Sequence, residues 1–277
     1  MYRVSKVLNN NGVIAIDMDE NKEYVILGKG VGFGKKVSQR FDKPEGCTTY
    51  RLEQETERGS AKELVKGIEP EYLEIADAIL TESQKVFGDS IDRGILFPLA
   101  DHISFAVARI RRNEQISNPL TEDIKVLFYS EFKVAETLKT ILKERLQIEI
   151  DDHEVGYVAL HIHSAIGDEK VSVAMQTARA VRECIDMIEK ATGKPIDVLS
   201  LSYNRLMNHM KYMVARASTG EKLNLDMNEY MLDQYPQAYE IAADICKNLE
   251  GCIGHKLDET EIGYLAMHIQ RVYKDAV

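Results

Sequence analysis

An internal repeat constrains this chain more than any other feature of its sequence. His102 and His161 lie 59 residues apart, as do His209 and His268, and the text around the earlier pair returns around the later pair after 107 residues. Glu154-Val155-Gly156-Tyr157-Val158-Ala159-Leu160-His161-Ile162 reappears as Glu261-Ile262-Gly263-Tyr264-Leu265-Ala266-Met267-His268-Ile269. Asp101-His102-Ile103-Ser104-Phe105-Ala106-Val107-Ala108-Arg109 becomes, more loosely, Asn208-His209-Met210-Lys211-Tyr212-Met213-Val214-Ala215-Arg216. A chain of seven histidines that sets four at matched positions carries two copies of one module.

A repeat of this length leaves an N-terminal remainder, and the two parts differ in charge. Residues 1–41 hold seven Lys or Arg against four Asp or Glu, whereas residues 61–277 hold 25 against 36. A basic head on an acidic body confines any nucleic-acid contact to the head. No apolar run approaches the roughly 20 residues of a membrane-spanning helix, and the first residues lack a signal peptide's apolar core. Cys47, Cys184, Cys246 and Cys252 form no CxxC pair and read as reduced thiols of a cytoplasmic protein.

The head reads as short β-strands. Val4, Lys6 and Leu8 alternate with Ser5 and Val7, and two β-branched runs, Val13-Ile14-Ala15-Ile16-Asp17 and Glu23-Tyr24-Val25-Ile26-Leu27, flank a polar stretch. Four glycines then punctuate Gly28-Lys29-Gly30-Val31-Gly32-Phe33-Gly34-Lys35-Lys36. No βαβ unit surrounds this run and the GxxxxGK[ST] spacing is missing, so neither a dinucleotide site nor a P-loop is expected. Two readings stay open: a tight hairpin with a core Phe33 and a solvated lysine pair, or a surface where backbone approaches a partner closely and one aromatic flanked by lysines stacks a base. A head this small buries little surface alone and is expected to dimerise or to lean on the body.

Beyond a polar linker, with a capping box expected at Ser60–Glu63, the period becomes helical. Tyr72, Ile75, Ala76, Ile79, Leu80, Val86 and Phe87 recur at helical spacing, as do Leu96, Leu99, Ile103, Ala106, Val107 and Ile110 around His102. Pro119-Leu120-Thr121 marks a fresh helix with Thr121 as its cap, and Asp151-Asp152-His153-Glu154 opens the helix bearing His161. The expected architecture is α+β and multidomain: a small all-β head at 1–56, a linker at 57–68, and all-α helical bundles at 69–170 and 171–277. A lone helical histidine is ordinarily a hydrogen-bonded packing residue, and duplicated modules retain packing residues too. The matched helices show no HxxxH and no cysteine partner, so no metal site is expected. The absence of a GxSxG elbow speaks against a serine hydrolase.

Lys6-Val7-Leu8-Asn9-Asn10-Asn11, followed by the glycine run Gly28–Lys36, resembles the co-antiterminator RNA-binding domain of the BglG/SacY-type transcriptional antiterminators. Asp101-His102-Ile103-x-Phe105 and Gly156-Tyr157-x-Ala159-Leu160-His161-Ile162 resemble the two histidine motifs of the phosphotransferase-system regulation domain, which occurs twice in that family. The second copy departs from the pattern at Asn208 and Tyr212. The resemblance implies a dimeric sheet domain that clamps a partly mismatched leader-RNA hairpin and so keeps a terminator from forming. It implies an RNA surface of Lys6, Asn9, Asn11, Gly28, Lys29, Gly30, Phe33 and Gly34, and phosphorylation at His102, His161, His209 and His268. The donors it implies are the phosphocarrier protein and sugar-specific transporter domains of the phosphotransferase system. Within the family, the run Leu27–Lys36 together with Ala159-Leu160-His161-Ile162-His163-Ser164-Ala165 is similar to the glucose-system antiterminators, which phosphorylation inactivates when sugar is absent. A switch of this kind needs no cofactor and no turnover of its own. Two other classes compete with it. A DNA-binding activator with the same modules would carry an N-terminal helix-turn-helix, which the β-rich head disfavours. A phosphocarrier relaying phosphate between its histidines would leave the head without a purpose.

Overall fold

The computed structural model describes residues 1–53, 55–56, 59–167, 170–197 and 200–275. The chain divides into two compact units, one of Met1–Asn118 with Ser130–Val171 and the other of Pro119–Tyr129 with Ser172–Val277. Among the described residues no helix is long and apolar enough to cross a membrane.

The first unit opens with an antiparallel sheet. Strands β1 (Tyr2–Asn9), β2 (Gly12–Asp17), β3 (Glu23–Leu27), β4 (Arg40–Phe41) and β5 (Thr48–Arg51) lie in the order β4-β1-β2-β3-β5. The two β-branched runs pair without a break from Gly12 opposite Leu27 to Ile16 opposite Glu23. The polar stretch between them closes on Asp17, whose Oδ1 accepts from the backbone N–H of Asp19 at 2.8 Å and of Glu20 at 3.3 Å. Val4, Val13, Ala15, Ile26, Val31 and Phe41 pack as the apolar core of the sheet. Strand β1 departs from the simple alternation of its sequence, because its register shifts between Val4 and Lys6 and again between Val7 and Asn9. Each irregularity turns the side chains that follow, so Val4 is buried while Lys6 is exposed.

A two-residue pairing of β6 (Glu55–Thr56) with β7 (Gly59–Ser60) leads out of the head. Residues 57–58, where the sequence starts the linker, lie outside the described residues. The rest of the linker holds a helix, α1 (Ala61–Gly67), capped by Ser60, whose Oγ accepts from the Glu63 N–H at 3.4 Å. Glu63 does not complete the box: its carboxylate takes the Lys66 amine at 2.7 Å. Helices α2 (Pro70–Phe87) and α3 (Leu96–Arg111) bury the two apolar stripes read from the sequence. Val86, 59% exposed, and half-buried Phe87 depart from this, since the buried face of α2 stops at Ser83, and Ile110 of α3 is half-buried as well. Helices α4 (Thr121–Leu127), α5 (Tyr129–Ala135), α6 (Thr137–Leu146) and α7 (Asp152–Gly167) follow. Leu120, not Thr121, holds the cap position of α4. Asp151 opens α7, its Oδ1 accepting from His153 N–H at 3.0 Å and Glu154 N–H at 3.2 Å.

The second unit is built of α8 (Val171–Thr192), α9 (Leu201–Thr219), α10 (Asn228–Gln234), α11 (Pro236–Ile253) and α12 (Thr260–Asp275), together with α4. Helices α4 and α10 hold equivalent places in the repeat, yet α10 packs on α11 and α12 while α4 packs on α9. Buried Ile124 and Leu127 hold α4 there, with a hydrogen bond from the Tyr203 hydroxyl to Asp123 Oδ1 at 3.1 Å. The compact units thus divide between Val171 and Ser172, with residues 119–129 packed in the second.

Candidate nucleic-acid interface and histidine pairs

The two head motifs, separated in sequence, are knitted together in the fold. The backbone N–H of Gly28 donates to the Asn11 carbonyl and that of Gly32 to the Asn10 carbonyl, both at 2.9 Å. The Gly30 N–H donates to Asn11 Oδ1 at 3.0 Å, and the Asn11 N–H to Asn9 Oδ1 at 2.8 Å. Only glycine permits this approach at position 32, where an added Cβ would lie 2.0 Å from the Asn9 carbonyl oxygen. Gly30 and Gly34 take positive φ, +76° and +66°. Val31 turns inward, and Phe33 stands 74% exposed. The hairpin reading with a core phenylalanine is thereby excluded. Lys29 and Lys36 are exposed beside it, while the Lys35 amine lies 4.9 Å from the centre of the Phe41 ring. Of the eight residues expected at an RNA surface, Asn9, Asn11, Gly28 and Gly30 are joined in this network, and Lys6, Lys29, Phe33 and Gly34 are exposed near it along the chain.

The head leans on α2. Asn9 Nδ2 donates to Glu74 Oε1 at 2.6 Å and Asn11 Nδ2 to Glu74 Oε2 at 3.2 Å. One turn further along α2, Asp77 accepts from the Tyr50 hydroxyl, and Arg93 Nη2 donates to both, at 2.7 Å to Tyr50 and 2.8 Å to Asp77.

The histidines of each copy meet in pairs. His102 on α3 and His161 on α7 have ring centroids 5.3 Å apart, and His209 on α9 stacks on His268 of α12 at 4.8 Å. Sequence reasoning named these four and missed the carboxylates and arginines beside them. Glu154, two turns before His161, sets Oε2 3.4 Å from His102 Nε2 while its Oε1 accepts from Arg109 Nη2 at 2.8 Å. Glu261 repeats the arrangement, 3.7 Å from His209 Nε2 and gripped by Arg216 through Nε at 2.6 Å and Nη2 at 2.9 Å. The signal was present in the repeat, because Arg109 and Arg216, like Glu154 and Glu261, also match after 107 residues. Two aromatics at equivalent positions, Phe105 and Tyr212, are exposed three residues beyond the first histidine of each pair.

His102 and His161 are buried. In the second unit, burial first, then His268 and Arg216, holds His209 down to about 3; burial, then Arg271 and Arg205, holds His268 down to about 4. Both imidazoles are therefore uncharged at neutral pH, the form whose ring nitrogen attacks a phosphoryl group. Burial pushes the Cys184 and Cys246 thiols up to about 12, far from the thiolate that reacts.

The structure thus joins a glycine-cradled asparagine turn beside an exposed aromatic to helical modules that each hold a pair of histidines. The sequence matches the CAT RNA binding domain at residues 2–59 and the PRD domain twice, at 77–165 and 182–272. The chain belongs to the transcription antiterminators that join a CAT RNA-binding domain to PRD regulatory domains of the phosphotransferase system. It is 30% identical to the GlcA/glcB genes antiterminator of Staphylococcus carnosus (strain TM300) over 97% of this chain and 94% of that protein. It is 28% identical to the transcription antiterminator LicT of Bacillus subtilis (strain 168) over 99% of this chain and all of LicT. The crystal structure of GlcT CAT-PRDI superposes with a TM-score of 0.52 at 29% identity, covering 60% of this chain and 98% of that one.

Proposed function

We propose that this chain controls a glucose-type sugar operon as a cytoplasmic homodimer whose head clamps a leader-RNA hairpin and whose histidines carry the transport signal. The head is assigned to 1–56, the linker to 57–68, and the regulatory modules to 69–170 and 171–277. The observation that carries the reading is the union of the Asn turn with the glycine loop beside the exposed Phe33. In this reading Phe33 stacks an unpaired base, Lys6 and Lys29 meet phosphates, Asn9 and Asn11 meet acceptor atoms, and Gly28, Gly30 and Gly34 let the backbone come close. The similarity to the GlcA/glcB genes antiterminator supports the choice of sugar.

Each phosphorylation is a transfer to the chain from a donor's phosphohistidine. The lone pair of an acceptor imidazole, on His102, His161, His209 or His268, forms the new N–P bond as the donor's N–P bond breaks. The donor imidazole recovers its lone pair. The chain is an acceptor here and turns over no substrate. A phosphoryl group brings roughly −1.5 to −2 charges, beside a carboxylate already within 4 Å of the first histidine of each pair. The buried pair must rearrange to admit it, and that rearrangement changes the association of modules. Phe105 and Tyr212 give a donor or a second copy an apolar foothold next to the histidines.

The test combines labelling with a terminator-readthrough reporter. Incubation with the phosphocarrier protein and a transporter's cytoplasmic domain should place acid-labile phosphate on the chain, and the quadruple His→Ala variant should take none. His102→Asp should shift the protein toward monomer and lower readthrough. Unchanged labelling of the quadruple variant would reduce the matched histidines to packing residues.

A further inference from the structure

The asparagines of the head use their two ends for different purposes. Asn9 Oδ1 is committed to the Asn11 N–H and Asn11 Oδ1 to the Gly30 N–H, so the amide oxygens build the turn and the NH2 groups take no part in those two bonds. These two donors converge on one carboxylate, at 2.6 and 3.2 Å, with one oxygen of Glu74 for each. Glu74 is approached by a cation as well, with Arg145 Nη1 of α6 3.7 Å from its Oε2. The Tyr50–Asp77–Arg93 node on the next turn of α2 pins the sheet in the same position.

We infer that Glu74 is a built-in competitor for RNA. Its carboxylate occupies the paired amide donors that would otherwise receive the acceptor oxygens of an RNA ligand, so a head docked on α2 and a head on RNA exclude one another. The inference rests on the RNA-binding reading of Asn9 and Asn11. A carboxylate is the side chain that best imitates what RNA offers at this point: two oxygens, acceptors only, carrying negative charge. It blocks the donors by hydrogen bonding and repels incoming phosphates by charge, while Arg145 keeps it from being an isolated anion when it docks. Because the two states compete, every interaction that pulls the head off α2 raises RNA affinity, and RNA in turn releases the head from α2. The regulatory module thus has a route to the RNA surface that acts within a single chain.

The test uses full-length protein carrying Glu74→Ala, Glu74→Gln, Arg145→Ala or Asn9→Ala, and a labelled pool of RNA hairpins with randomised internal loops, titrated at fixed salt. Glu74→Ala should bind the pool about tenfold tighter than the unaltered chain. Glu74→Gln, which keeps one acceptor and loses the charge, should fall between the two, and Asn9→Ala should bind more weakly. Arg145→Ala, which loosens Glu74 without touching the head, should also gain affinity and serves if Glu74→Ala folds poorly. Loss of a merely structural contact would lower affinity or leave it unchanged. If the unaltered chain and the Glu74 variants bind equally while Asn9→Ala binds worse, the competitor is overturned and RNA binding stands. If no variant retains hairpins, the RNA reading itself fails, and the competitor with it.

Discussion

Glu261 and Glu154 do the same work in unequal surroundings, and the difference is measurable. Arg216 grips Glu261 with two nitrogens and its side chain is 15% exposed, whereas Arg109 uses one and is 25% exposed. Removing one partner of a buried ion pair strands the other, at a cost of about 3–5 kcal/mol. Glu261→Ala should therefore lower the thermal midpoint of the protein clearly, and Glu154→Ala by less. Protonation gives a second handle. His209 and His268 stay neutral in the fold down to about 3 and about 4, whereas in the unfolded chain an imidazole titrates near about 6.5. The unfolded state then takes up protons first, so the stability of the second unit is flat above about pH 7 and falls as the pH drops from about 6.5 toward 4. For His209 the slope approaches about 1.4 kcal/mol per pH unit. Urea midpoints measured from pH 7.5 to 5 should show the decline, and His209→Gln should lessen it to what His268 alone contributes. A midpoint independent of pH would mean that water reaches the pair.

At the scale of elements, two glycines set distances between segments that no other residue allows. An added Cβ at Gly32 meets the Asn9 carbonyl oxygen at 2.0 Å, and one at Gly263 meets the backbone carbon of Met227 at 2.7 Å. Gly32→Ala should part the glycine loop from the asparagine turn, and Gly263→Ala should lift α10 from α12, each costing about 1–3 kcal/mol. Amide exchange should report both, through lost protection at the Gly32 N–H, which donates to Asn10, and at the Gly263 N–H, which donates to Asn228 Oδ1 at 2.8 Å. Much at this scale was legible in the sequence. The β-branched runs gave β2 and β3 because Val13, Ala15 and Ile26 fill the core of that sheet, and the histidine spacing gave the paired helices because the packing recurs with the repeat. The bulges of β1 were hidden, since register depends on which strand lies opposite. Glu74 looked like one more charge on a helix surface, and its contact with Asn9 joins residues 65 positions apart. Local pattern carries no trace of a meeting at that distance.

For the molecule as a whole, the division into units is not the division into repeats. Residues 119–129 pack with 172–277 although the chain returns to the first unit after them. Ile124→Asp places a charge at a fully buried position of α4 and should strip exchange protection from the second unit while the sheet and α2 keep theirs. Equal loss in both units would show that the segment belongs to neither in particular.

The placement of α4 also bears on the order in which the protein is made. Asp123 leaves the ribosome 80 residues ahead of Tyr203, the partner of its hydrogen bond. At about 5–20 residues per second that is a wait of roughly 4–16 s. During it, the apolar face of α4 carrying Ile124 and Leu127 has no α9 to cover it, while the rest of the first unit is synthesised and able to close. The nascent chain therefore carries an exposed sticky helix while residues 124–203 are added, and a chaperone that protects this protein should engage that segment during the interval.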